Sequence, residues 1–246
     1  MIARALAAVA TVAWLGGCSL TAVSRMDAQA DAQIALSKRQ DQEARDRYDD
    51  RAVYQGLIEK MQQQGLYYAS LAHLDAYAQR FGTAPKLQLL RADALRETGQ
   101  HEEARAAYTA LLDTGFAARA HQGLGLLAAR DGDFTQAVAS LRAALARDPV
   151  DALIANDLGY ALMRAGELRQ ARVPVMQALQ LDGANPRIAS NAAVWLLATG
   201  DGEAARTLME RAALPPAARQ AVAREAEHIA GRAAPVASRN GMLSAR

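Results

Sequence analysis

The sequence predicts an all-α fold, in which helical hairpins stack to form a solenoid. First, five glycines, called here the turn glycines, recur at intervals of 33 or 34 residues, at Gly65, Gly99, Gly132, Gly166 and Gly200. Second, each is followed by a small residue five positions later and by a larger apolar residue nine positions later. Third, the chain has 5% aromatic residues and many alanines, which favour helices in close contact. One hairpin cannot bury its own apolar face, so the units must stack.

The segment 118–151 shows the repeating unit most clearly. Apolar residues recur at helical spacing on both sides of Gly132, and Pro149 ends the second apolar run. Gly132 suits the left-handed residue that ends the first helix. We expect Gly125 to face Ala137 across the hairpin, where a larger side chain would push the two helices apart.

The period and the order of residue types resemble the tetratricopeptide repeat. Leu124-Gly125 and Leu158-Gly159 match its Leu-Gly pair, and Pro149 matches its terminal proline. The resemblance implies a right-handed superhelical solenoid with a C-terminal capping helix over about 217–232. Its five hairpins would occupy about 51–84, 85–117, 118–151, 152–185 and 186–219. The fifth unit has Ala192-Ala193 in place of Leu-Gly, so looser packing is expected there.

The N-terminal segment 1–17 has the layout of a lipoprotein signal peptide. Arg4 is its one charged residue, and a short apolar run precedes Leu15-Gly16-Gly17-Cys18, which resembles the bacterial lipobox. That motif predicts cleavage before Cys18 and acylation, for example with palmitate. An ordinary signal peptide or an uncleaved anchor remains an alternative. Ser19 follows the cysteine, and the resemblance implies an outer-membrane protein that faces the periplasm.

Two further segments are predicted to lie outside the repeats. Residues 18–50 are polar, so we expect a tether, with a helical stretch around 40–48 that continues into the first repeat. The tail over 233–246 is predicted to be disordered.

Pro174 lies inside the predicted second helix of the fourth repeat. Its ring should clash with the carbonyl four residues earlier and bend the helix. The plain interpretation is a local kink, and the alternative is a kink that shapes a partner groove.

The residues that usually carry catalysis form no recognisable arrangement in this sequence. The four histidines, His73, His101, His121 and His228, fall at different positions of the repeat and lack metal-ligand spacing. The glycines sit at helix ends or in hairpin contacts, so no phosphate loop is predicted. The net charge of +2 includes no basic stripe, which disfavours nucleic-acid binding. We therefore expect a protein without catalytic activity, metal or cofactor.

A binding surface remains the expected functional feature. In a stacked solenoid the first helices of the hairpins line the concave face, so their inward positions should form a groove for an extended or helical peptide. The alternative is that these positions are ordinary solvated residues. The candidate groove residues are Arg119, Gln122, Leu126, Asn156, Tyr160, Met163, Arg187 and Asn191.

Four stretches and the lipobox together resemble the TadD family, tetratricopeptide lipoproteins of the tight-adherence (Flp) pilus apparatus. The stretches are GLYYASLAHLDAYAQRFG, LLRADALRETGQ, HQGLGLLAARDGDF and NDLGYALMRAGEL. The resemblance implies a scaffold that supports pilus assembly, with the secretin as a candidate partner. A pilotin of a type IV pilus secretin and a periplasmic adaptor for cell-wall enzymes are alternatives.

Overall fold

The structure, a computed structural model, describes residues 17–233, and all of its elements there are helices. Residues 1–16 of the predicted signal peptide (1–17) and residues 234–246 of the predicted tail (233–246) lie outside the described residues, as does the side chain of Cys18. The helices are α1 (Gly17–Gln63), α2 (Tyr67–Phe81), α3 (Pro85–Glu97), α4 (His101–Thr109), α5 (Ala117–Arg130), α6 (Phe134–Arg147), α7 (Ala152–Arg164), α8 (Leu168–Leu181), α9 (Pro186–Ala198), α10 (Gly202–Arg211) and α11 (Pro216–Ala233).

The chain divides into two units, residues 1–57 and 58–246. In the first unit, helix runs from Gly17 onward, which is more than the short helical stretch predicted within the tether. Its residues are good helix formers, and the few apolar residues in its sequence follow no helical period. Ile34 and Leu36 are accordingly exposed. In the part of the chain that is described, no helix is both long and apolar enough to cross a membrane.

The second unit is a series of helical hairpins. The pairs α3–α4, α7–α8 and α9–α10 each lie within one predicted repeat, and α5–α6 begins one residue before its predicted repeat. Helix α2 follows the last turns of α1 in the same way. Each turn glycine has a positive φ, between 75° and 90°. In every one of these turns, the N–H of the next residue donates to the carbonyl five residues before it, at 2.9 Å. This Schellman geometry confirms the left-handed conformation predicted at Gly132, and the other four turn glycines share it.

The small residues five positions after the turn glycines form the hairpin core. All five are fully buried at 0% exposure: Ser70, Ala104, Ala137, Ala171 and Ala205. A Cβ on Gly125 would lie 2.7 Å from Cγ of Leu141 and 3.3 Å from the carbonyl oxygen of Ala137. The predicted close approach is therefore correct, and Leu141 is part of it. In the fifth hairpin, Ala205 is the buried residue of α10.

Helix α8 continues through Pro174, whose ring is buried. The predicted kink at this residue therefore stays a prediction, and the helix is not broken there.

The C-terminal helix α11 takes a position that the repeat pattern does not predict. It packs mainly against α9, the first helix of the last hairpin. Its apolar face, which consists of Val222, Ala226 and Ile229, is buried in the same core cluster as Val194. Helix α11 therefore lies on the side of the first helices, where the candidate groove is.

Candidate functional site

Two cavities lie side by side along the first helices. The α5–α7 cavity has a volume of about 410 Å³, and its lining includes Leu126, Ala129, Phe134 and Ala161. The α7–α11 cavity has a volume of about 460 Å³, and its lining includes Val194, Ala218, Ala221 and Val222. Tyr160 and Arg187 line both cavities. The two cavities form one cleft, which we call the A-helix cleft, with α11 as its far wall.

A buried carboxylate organises the floor of the A-helix cleft. Asp157, which is 5% exposed, accepts hydrogen bonds from Nε2 of Gln122 at 2.7 Å and from Nη2 of Arg187 at 2.6 Å. Asn156 donates to the same carboxylate at 3.3 Å and accepts from Asn191 at 3.0 Å. Side chains from α5, α7 and α9 are thus joined, so the network fixes three successive hairpins relative to one another.

Burial raises the pKa of Asp157, because desolvation disfavours the charged form, while Arg187 and the hydrogen bonds of Gln122 and Asn156 oppose the shift. The side chain of Arg187 is 58% exposed even though its partner is buried. Arg187 therefore anchors one edge of its guanidinium on Asp157 and leaves other donors towards the cleft.

A second polar cluster joins α7 to α11. The hydroxyl of Tyr160 donates to Oε1 of Glu225 at 3.0 Å and accepts from Nη1 of Arg164 at 3.0 Å. Arg164 also forms an ion pair with Glu225 at 3.5 Å and lies over the ring of Phe134 at 4.7 Å. Burial raises the pKa of Tyr160, so its hydroxyl remains protonated and keeps both contacts.

The predicted groove residues divide into two groups. Leu126, Tyr160, Arg187 and Asn191 line the A-helix cleft. Gln122 and Asn156 are buried in the network beneath it, so they shape the floor and offer a partner little surface.

Two other predicted positions do not line the cleft as expected. Met163 is 1% exposed and packs into the core between hairpins, so the prediction that it lines the groove is wrong. Nine of the thirteen residues of α7 are buried, so a position on this helix can belong to the core even where the repeat pattern places it on the groove side. Arg119 is exposed on α5. Desolvation raises the pKa of the partly buried Asp93, and the positive charge of Arg119 opposes that shift.

Sequence reasoning missed the contribution of α11. Ala218, Val222 and Glu225 form a wall of the A-helix cleft, but the pattern of this helix indicated only that one face is apolar. The repeat period ends before α11, so nothing in the sequence indicated which helix it would cover. Among residues 32–232 whose side chains are described, no group of His, Cys, Asp or Glu could hold a metal ion.

The stacked hairpins and the A-helix cleft define a tetratricopeptide-repeat solenoid, a class whose members are generally non-enzymatic scaffolds that bind other proteins. Sequence families described as tetratricopeptide repeat match residues 85–113 and 122–186. The chain therefore carries tetratricopeptide repeats, as predicted.

Comparison with known proteins supports the same class. The TPR repeat-containing protein PA4299 of Pseudomonas aeruginosa is 34% identical over 152 residues, which cover 61% of this chain and 54% of the relative. The chain thus spans about half the length of that curated relative.

Solved structures support the fold alone. The thermophilic TPR protein TTC0263 of Thermus thermophilus matches 71% of this chain and 98% of its own, with a TM-score of 0.56 and 21% identity. A MamA structure from Desulfovibrio magneticus RS-1 matches 66% of this chain and 92% of its own, with a TM-score of 0.51 and 18% identity.

Proposed function

We propose that this chain is an outer-membrane lipoprotein, anchored through Cys18 and facing the periplasm. In this proposal it holds partner proteins in the A-helix cleft during assembly of a tight-adherence pilus or a related secretion machine. The observation that carries the binding role is the cleft itself, because it combines apolar cavities with an exposed arginine that is already held in place. Such a surface can bind a peptide segment without large rearrangement. The pilus role and the membrane location are supported by the resemblance of the lipobox and the four repeat stretches to the TadD family.

The anchor is tested by replacing Cys18 with serine in the full chain. Without the thiol no acyl chain can be attached, and we expect the protein to move from the membrane fraction to the soluble periplasmic fraction. Membrane fractionation measures this, and Ser19→Ala serves as the matched control because it leaves the cysteine in place. A Cys18→Ser protein that stays fully in the membrane fraction would contradict the lipid anchor.

The scaffold role is tested with substitutions in the A-helix cleft of the full chain. Leu126→Ser with Tyr160→Ala should remove an apolar contact of the first cavity and the tyrosine ring that lines both cavities. We expect pilus formation in cells to fall to near the level of the deletion strain, and recovery of cross-linked pilus or secretin proteins to fall at least about tenfold. Val173→Ser is the control, because Val173 is 72% exposed on α8, outside the cleft.

Normal pili with the doubly substituted cleft would contradict the scaffold proposal. So would a deletion strain that still assembles pili and a normal secretin. If the deletion disturbs the cell wall and leaves pili intact, the adaptor alternative is favoured.

A further inference from the structure

The two cavities of the A-helix cleft are separate apolar pockets on either side of one ridge. Leu126 and Ala129 line the α5–α7 cavity, and Val194 and Ala221 line the α7–α11 cavity. The ridge between them includes Tyr160, which contributes to both linings. A peptide ligand that fills both pockets therefore needs two apolar side chains, joined by a short stretch of chain that crosses the ridge.

The charges around the ridge favour an acidic connection. The linings contain three arginines, Arg130, Arg164 and Arg187, and two acids, Asp157 and Glu225. Both acids are already engaged: Asp157 is buried against Arg187, and Glu225 is bonded to Tyr160 and Arg164. Arg187 is exposed, and no acid in the lining other than Asp157 is available to pair with its remaining N–H donors. Charge complementarity points to a carboxylate of the partner above Arg187.

The spacing of the helices sets the distance between the two apolar side chains. Tyr160 of α7 lies between the two pockets, the first of which is lined mainly by α5 to α7 and the second mainly by α9 and α11. We therefore take their separation as roughly one interaxial distance, about 8–10 Å for packed helices. An extended segment of the polyproline II type rises about 3.1 Å per residue and repeats about every three residues. Residues i and i+3 of such a segment therefore lie on the same face, roughly 9 Å apart.

From these three features we infer the chemistry of the partner segment, which deepens the proposed function and rests on it. The A-helix cleft binds an extended, acidic peptide segment of another protein, with large apolar residues at i and i+3 and a carboxylate between them. The apolar residues occupy the two cavities, and the carboxylate pairs with Arg187. Helix α11 closes the far side of the second cavity and so ends the segment that can be bound.

The test is fluorescence anisotropy with the full chain in detergent micelles and labelled peptides of defined sequence. The probe carries Leu-Asp-Glu-Leu between Gly-Ser flanks. The charge control carries Leu-Asn-Gln-Leu, and the spacing control has one glycine inserted between Asp and Glu. We expect each control peptide to bind at least about tenfold more weakly than the probe, and probe binding to weaken as salt is added.

Protein variants separate the two kinds of contact. Arg187→Gln keeps an N–H donor for Asp157 but removes the positive charge. Binding of the probe peptide should therefore weaken about tenfold, and binding of the charge-control peptide should not change. Leu126→Ser should weaken both peptides. Arg206→Gln, an exposed arginine on α10, is the matched control and should change neither. Far-ultraviolet circular dichroism confirms that each variant keeps its helices.

The inference is overturned if the charge or spacing control binds as tightly as the probe, if Arg187→Gln leaves probe binding unchanged, or if the probe does not bind at millimolar concentration. A spacing control that binds more tightly would indicate a helical ligand instead. These failures are distinguishable from failure of the proposed function. If the cleft variants abolish pilus assembly while the probe fails to bind, the scaffold role stands and the peptide chemistry is wrong.

Discussion

Replacing Gly123 with alanine should lower the free energy of unfolding of the repeat unit by about 3 kcal/mol, at the upper end for overpacked cores. A Cβ at this position would overlap ring carbons of Tyr108, which belongs to the preceding hairpin. Tyr108 is fully buried, and its hydroxyl donates to Asp93 at 2.6 Å and accepts from Nε of Arg96 at 3.2 Å. The ring is therefore fixed by packing and the hydroxyl by two hydrogen bonds, so moving the side chain to make room for a Cβ would cost stability.

Urea denaturation followed by circular dichroism measures this effect. Gly231→Ala is the matched control, because Gly231 lies within α11 and a Cβ there meets nothing within 4 Å. That substitution should raise stability by up to about 1 kcal/mol, since alanine loses less backbone entropy in a helix. If Gly123→Ala unfolds within about 0.5 kcal/mol of the unsubstituted chain, Tyr108 has another position available and the packing argument is wrong.

The features that repeat within one hairpin could be predicted from the sequence. A turn glycine with positive φ and a small residue five positions later are local requirements, and each recurs at every unit. The contact between Gly125 and the second helix is of the same kind. The contact between Gly123 and Tyr108 is different because it joins two hairpins, and the period of one hairpin holds no information about it.

Less of the candidate site could be predicted, because its side chains also depend on contacts between hairpins. The positions of Leu126, Tyr160 and Arg187 follow from which helix face turns towards the groove. Whether a side chain at such a position is exposed depends on its neighbours in the next hairpin. Met163 is therefore buried. Asp157, which was not among the candidate groove residues, becomes the centre of a network.

For α11, the sequence predicted a capping helix but did not predict which helix it packs against. An apolar stripe on a C-terminal helix predicts a cap, because a terminal repeat would otherwise expose its stacking face. The structure places that stripe against α9 instead, and the hydrogen bond between Tyr160 and Glu225 ties α11 to α7. The cap therefore also becomes a wall of the binding surface, so its stability and ligand binding should be coupled.

Replacing Ile229 with alanine tests this coupling and is expected to cost about 2–4 kcal/mol of stability in the last hairpin. Ile229 is 1% exposed in the core cluster that joins α11 to α9, and truncation leaves a cavity in that contact. Because repeat proteins lose structure locally, amide hydrogen exchange should rise first in α9–α11 while α5 and α6 stay protected. His228→Ala, on the exposed side of the same turn, should leave exchange unchanged.

The same Ile229→Ala variant should also weaken binding of a partner segment, because opening of α11 removes Val222 and Ala221 from the second cavity. A loss of binding that accompanies faster exchange in α11 would show that the cleft needs this wall. Unchanged binding together with fast exchange would mean that the partner does not contact α11. The wall would then be a structural cap with no part in recognition, and the length of the bound segment would not be limited by it.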